Sequence, residues 1–221
     1  GGAVAIVGRK KLDQLGVPYF QSDNPRRVLA YLAAALNGNP ARSLTMIGVT
    51  GTDGKTTTVN LIFKILLACG VRAGMISTVN AVIGDEMIDT GFHVTTPDAI
   101  EIQSLLRKMV DSGITHVVLE TTSHGLDQFR VDACEFDIAV ITNITHEHLD
   151  YHGNYEGYLN AKFKLIDMLR DTFEKANGNP RLAILNRDDI SYLKITDRLD
   201  EAHFQPIKKF TYGLSGDALI H

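Results

Sequence analysis

The stretch "VTGTDGKTTT", from Val49 to Thr58, holds the residue types that bind phosphate. Gly51, Thr52, Asp53 and Gly54 form a short turn, followed by Lys55, Thr56 and Thr57. A glycine-containing turn that opens a helix aims backbone N–H groups and the positive end of the helix dipole at an anion. A lysine there adds a point charge for β- and γ-phosphates. The next threonine offers its hydroxyl to Mg2+. The usual phosphate-loop pattern has a glycine five residues before Gly54. Val49 fills that slot and a glycine sits at Gly51 instead. The competing reading is a tight strand-to-helix turn with a solvated lysine. It leaves unexplained why Gly-Lys-Thr falls where a phosphate would sit.

A second stretch, "TNITHEHLDYHGNYEGYLNAK", gathers His146, Glu147, His148, Asp150 and His152 within seven residues. Three readings fit. One is a zinc-dependent hydrolase, although Tyr151 separates Asp150 from the last histidine and only His203 follows downstream. Another is a polar loop with exposed histidines. The third is a Mg2+ ligand beside the phosphate loop, where ligands of α/β sheets collect at strand C-termini. In the helix expected next, Leu159, Phe163, Ile166 and Leu169 make an apolar stripe at 100° per residue. Lys162 falls inside that stripe and Lys164 on the opposite face. A lysine so placed either snorkels its amine to the rim or supplies that amine to a site.

These residues need elements to hold them. "LTMIGVT", "RAGMIST", "HVVLET", "DIAVITN", "RLAILN" and "KKFTYG" read as strands. Helices are expected after Gly54, Pro97, Asn154 and Arg187, and over "NPRRVLAYLAAALNG" with a stop at Gly38. Val59, Ile62, Phe63 and Leu66 give the helix after Gly54 its apolar face, and Gly70 its stop. "NAVIGDEMIDTG" reads as a hairpin about Gly84-Asp85. Short apolar runs alternating with amphipathic ones predict an α/β fold, a mostly parallel sheet flanked by helices. A boundary is expected near Ser22.

The 221 residues suffice for one good-sized domain with a small appendage. A net charge of −4 gives no bias toward nucleic acid. No apolar run reaches the roughly 20 residues that span a bilayer. Cys69 and Cys134 lie far apart, which suggests buried thiols in a reducing compartment. The opening "GGAVAIVGRKK" has no basic region before its apolar stretch and is not a signal peptide. Without an initiator Met, it reads as cut from something longer.

Four stretches, in order and at these spacings, resemble the Mur ligase family: "GVTGTDGKTTT", "TTPDA", "ETTSHGLDQFRV", and "TNITHEHLDYHG" followed by "YLNAK". "LNRDD" at Leu185 to Asp189 adds a weaker match. The family loop has its glycine where Gly51 stands, so Val49 is its expected form, with Asp53 replacing a more usual asparagine. "TTPDA" and "HLDYHG" favour the tripeptide-forming branch over ligases of other peptide stages or of folates.

The resemblance implies a P-loop-type central ATP-binding domain at 23–221. It makes 1–22 the tail of an N-terminal UDP-binding domain, with a C-terminal amino-acid-binding domain absent. It implies a cytoplasmic, monomeric ATP- and Mg2+-dependent amide ligase of peptidoglycan precursor synthesis. Such a ligase activates UDP-N-acetylmuramoyl dipeptide as an acyl phosphate and joins it to an amino acid.

The resemblance also implies site residues. Gly51, Thr52, Asp53, Gly54, Lys55, Thr56, Thr57 and Asn186 would bind ATP. Thr95, Thr96, Thr122, Ser123, Gln128 and Arg130 would hold the muramoyl peptide. Thr56, Glu120, His148 and Lys162, the last as a carbamate, would hold metal, and Lys55, Lys162 and His148 would be catalytic. Singly, each has a blander reading. Thr95 and Thr96 could cap a helix before Pro97, Glu120 could be a strand-end charge, Arg130 a surface charge, and Asn186 a turn residue. Glu147, and the pair Thr121-Thr122, depart from the family's usual residues but keep their chemical type. A bare nucleotide-binding module remains a further alternative.

Overall fold

A computed structural model describes residues 2–12, 15–90, 96–147, 149–204 and 206–214. Two expected site residues, Thr95 and His148, lie outside the described residues. The chain builds an eight-stranded sheet and, apart from it, a small parallel pair, β1 (Ile6–Gly8) with β2 (Tyr19–Gln21). Between the two comes α1 (Pro25–Leu36), capped by Asn24, whose side chain accepts from Arg27 N.

The sheet strands are β3 (Thr45–Thr50), β4 (Ala73–Ile76), β5 (Asn80–Ile83), β6 (Glu86–Asp89), β7 (His116–Glu120), β8 (Ile138–Ile141), β9 (Leu182–Asn186) and β10 (Lys208–Tyr212). Their order is β10-β9-β8-β3-β7-β4-β5-β6. From β10 to β4 all pairings are parallel; the β5–β6 hairpin adds two antiparallel strands at one edge. All six expected strands and the hairpin are present, each within a few residues of its expected bounds.

The central strands are buried on both faces, and their side chains alternate between them. On β3, Ile47 and Val49 meet Val59 and Phe63 of α2 (Lys55–Ala68). Met46 faces the other way, into the larger core under α3 (Ala99–Asp111), α6 (Tyr155–Arg170) and α7 (Tyr192–Leu199). The predicted α6 stripe is that core's spine: Leu159, Phe163, Ile166 and Leu169 are fully buried. Each contributes about 2 kcal/mol of burial. Gly48 lets α6 lie close, since a Cβ there would fall 2.6 Å from Leu165 Cδ1.

Two expectations need correction. Pro97 precedes α3 without a threonine cap: Asp98 is the N-cap, its side chain accepting from Glu101 N. Asp98 holds that N–H with a charge, which suits a helix start. The two thiols are not both buried either. Cys134 is buried, but Cys69 is exposed at the end of α2.

At the N-terminal ends of the strands a polar clamp is buried. Lys175 Nζ donates to Leu44 O, Glu135 O and Asp137 Oδ2. Asp137 also accepts from Met46 N and from Asn179 Nδ2. Its backbone bonds to Met46 O and Leu182 N join β3, β8 and β9.

Candidate active site

Strand order decides where the loop sits. From β3 the chain crosses toward β4; from β8 it crosses the opposite way, toward β9. β3 and β8 are neighbours, so a crevice opens beyond their C-terminal ends, the usual ligand position in such sheets. The turn 51–54 fills one side of that crevice and the segment after β8 the other. Thr52 N donates to Asn143 O, and Asp53 N to Asn143 Oδ1. Thr142 Oγ1 donates to Asp53 O. Only glycine fits at 51, where a Cβ would lie 1.8 Å from Thr142 Oγ1. Gly54 is the N-cap of α2, and Thr57 is exposed in its first turn.

Two lysines converge on one carbonyl. Lys55 Nζ donates to Gly51 O at 3.1 Å and Thr52 O at 2.7 Å. Lys162 Nζ donates to the same Gly51 O at 2.6 Å. Lys162 is 1% exposed, so its amine does not snorkel to the rim. It sits 4.5 Å from the Tyr158 ring centre, one helical turn back on α6. Among the described residues no carboxylate pairs with it. Burial first, and Lys55 second, hold its amine well below the ordinary lysine value; Glu147 and Asp53 pull the other way. The Tyr158 hydroxyl, pushed up to about 12 by burial, donates to Thr52 Oγ1. Thr145 N donates to that same oxygen.

β7 pairs with β3 so that Glu120 stands beside Val49. The Glu120 carboxylate, 2% exposed, accepts from Thr56 Oγ1 at 3.0 and 3.1 Å and from Thr78 N at 3.3 Å. A buried carboxylate held by neutral donors next to a hydroxyl is an oxygen set suited to a hard cation such as Mg2+.

A second cluster adjoins the first through Glu120. Thr96 Oγ1 donates to Glu120 O and lies 3.1 Å from Thr122 Oγ1. Thr122 caps α4 (Ser123–Asp127), and Ser123 is buried at its first position. α4 ends with Phe129 N bonded to Leu126 O and Arg130 N bonded to Gly125 O. That is a Schellman turn with phenylalanine, φ 60°, where glycine is the rule. The turn brings Arg130 back onto the cluster: Nη1 donates to Thr96 O, and Nε and Nη2 to Gln128 Oε1. Asn186 lies apart at the end of β9, donating to Thr142 O and accepting from Asp188 N.

The described histidines of the histidine-rich turn lie against aromatic rings. His146 stacks on Tyr155, and His152 lies among His124, Tyr151 and Tyr158. Among the described residues no three His, Cys, Asp or Glu side chains form a metal-sized group. The turn's flanks hold more interest: Thr142 and Asn143 before it and Tyr158 after it brace the loop, yet no role was expected of them. For Tyr158 the signal was its spacing, i−4 from Lys162. Asn143 carried none beyond its place at a strand end.

A profile described as "Mur ligase middle domain" matches residues 49–221. The chain belongs to the Mur ligase family. It is 43% identical over 188 residues to a UDP-N-acetylmuramoyl-L-alanyl-D-glutamate–2,6-diaminopimelate ligase of Geobacillus thermodenitrificans. That alignment takes 85% of this chain and 37% of the relative. A Bacillus licheniformis ligase of the same name is 38% identical, over 98% of this chain and 42% of its own length. The chain thus spans less than half the length of these relatives.

A solved structure of a ligase of that name superposes with a TM-score of 0.79 at 27% identity, covering 98% of this chain and 41% of its own. At 17% identity, Mycobacterium tuberculosis folylpolyglutamate synthase complexed with ADP has a TM-score of 0.62, over 86% of this chain and 46% of its own. That likeness concerns the Mur ligase fold alone.

Proposed function

We propose that the protein containing this chain is an ATP-dependent amide ligase that adds an amino acid to UDP-N-acetylmuramoyl dipeptide in peptidoglycan precursor synthesis. The observation that carries the reading is the convergence of Lys55, Lys162 and the Thr56–Glu120 pair on the loop at the sheet's switch point. The activities named for the relatives, and the ADP in a neighbour of the same fold, support the ligand classes.

In this reading Gly51, Thr52, Asp53, Gly54, Lys55, Thr56 and Thr57 bind the ATP phosphates, and Asn186 stands toward the base. Thr95, Thr96, Thr122, Ser123, Gln128 and Arg130 hold the muramoyl peptide. Residues 1–22 are the tail of an N-terminal domain, and 23–221 the ATP-binding domain. The groups that bind the amine donor come from beyond 221. We take the enzyme to act as a cytoplasmic monomer. Among the described residues no helix is long and apolar enough to cross a membrane.

The reaction must bring a carboxylate against a γ-phosphate, two anions. Lys55 and the N-terminus of α2 offset their repulsion. Thr56 and Glu120, with His148, would hold Mg2+, which neutralises phosphate charge when bound. The carboxylate displaces ADP to give an acyl phosphate; an amino group then displaces phosphate to give the amide. Burial and Lys55 shift Lys162 toward its neutral amine, the form that is nucleophilic toward CO2. Addition of CO2 with loss of a proton would make it a carbamate, placing a metal-binding anion beside Lys55.

The test is ADP release by the full-length protein with UDP-muramoyl dipeptide and a panel of amino acids. Release that depends on one amino acid, with diaminopimelate the first choice, is expected. ADP release indifferent to every amino acid in the panel would leave only a nucleotide-binding protein.

A further inference from the structure

Beside the Thr96–Arg130 cluster lies a cavity of about 190 Å3, lined by Arg26, Leu29, Ala99, Gln128, Phe129 and Arg130. A water takes about 30 Å3, so a carboxylate or a phosphate group fits. Two arginines and no carboxylate form the wall. Arg26 is exposed and has no hydrogen bond or ion pair among the described residues, whereas its neighbour Arg27 meets Asp132 at 3.0 Å.

The placement of Arg26 follows from α1. Ala30, Ala33 and Ala34, at i+4, i+7 and i+8 from it, form that helix's buried face. Ala30 and Ala34 cluster with Ala99 of α3 and with Ala133. These small side chains draw α1 against the start of α3 and the segment after α4. One turn ahead on the same face, Arg26 overhangs the cavity. From the other side the left-handed Phe129 holds Gln128 and Arg130 to it, a conformation that is unfavourable outside glycine.

We propose that Arg26 and Arg130 form an anion-receiving subsite for a part of the ligase substrate that does not react. A guanidinium pair suits a group of anionic oxygens. The substrate offers two such groups: its diphosphate, and whichever glutamate carboxylate is not activated. This proposal rests on the ligase reading and extends its peptide site to α1, which the family motifs do not reach.

The experiment uses the full-length protein and its Arg26→Gln and Arg26→Lys variants. Arg26→Gln raises KM for UDP-muramoyl dipeptide about 10- to 100-fold, with KM for ATP and Tm unmoved; Arg26→Lys recovers part of the loss. Two substrate analogues identify the anion, one with the non-reacting carboxylate amidated, the other with a methyl group replacing the uridine diphosphate. The analogue that removes the true contact shows no further loss in Arg26→Gln. Equal KM in all three proteins, or a loss persisting with both analogues, overturns the subsite. Calorimetric titration with UDP-muramoyl dipeptide reads the site without turnover. Binding weakened by Arg26→Gln in a protein that forms no amide keeps the subsite and removes the ligase reading. Equal binding by parent and variant removes the subsite alone. No binding by the parent removes both.

Discussion

Lys162 has been placed where a charge is costly. Its amine is sealed from water, shares a carbonyl with Lys55, and meets no carboxylate among the described residues. Replacement by methionine, of similar length and without charge, should therefore separate stability from function. Lys162→Met is expected to gain about 1–3 kcal/mol, read as a Tm rise of about 2–4 °C per kcal/mol. Turnover should fall about 100-fold or more.

The pH dependence carries the same signature. The folded-state value of Lys162 is lowered, so the unfolded chain holds more protons between that value and about 10.5. Stability from this group rises with pH across that window, and its full penalty lies below it. Urea titrations at several pH values should show a shallower rise in Lys162→Met than in the parent. The same slope in both would refute the assignment. Lysine on an apolar stripe was legible in the sequence. That its amine meets Gly51, 111 residues away, was not, because it depends on how closely α6 lies on β3.

Among the elements, α6 matters most, since it carries both Tyr158 and Lys162 to the loop. Its start is fixed by Asn154, whose side chain accepts from Gly157 N at 2.8 Å. Asn154→Ala should cost about 1 kcal/mol, seen as a lower urea midpoint with unchanged slope. Long elements were legible because three or four turns repeat the 3.6 period, as in α2, α3 and α6. The hairpin β5–β6 was legible from Gly84-Asp85. α4, five residues long, and α5 (Leu149–His152), four residues long, hold too few turns to show a period. Nor does sequence periodicity signal a helix that ends on a left-handed phenylalanine, where glycine is expected.

For the whole molecule, alternation of apolar and amphipathic runs was enough to give a mostly parallel sheet. The order β10-β9-β8-β3-β7-β4-β5-β6 was not, since pairings between distant segments leave no local periodicity. Neither was the clamp of Lys175 and Asp137, 38 residues apart and both nearly enclosed. Removing one partner of such a pair strands the other charge. Asp137→Ala should cost about 3–5 kcal/mol, measured by chemical denaturation. A change under about 1 kcal/mol would mean that the pair adds little beyond its neighbours.

That clamp lies at the opposite end of the strands from the loops at 51–54 and 142–145. Met46 and Leu182 give their amide protons to Asp137, one to its carboxylate and one to its carbonyl, in the middle of the sheet. In deuterated water these amides should exchange only through opening of the whole domain. The half-exposed Asn143 and the exposed Asp53 belong to turns that can open locally at far less cost. The sheet is thus stitched at one end, and at the other the turns alone are expected to open, which would let a nucleotide enter and leave without any strand separating.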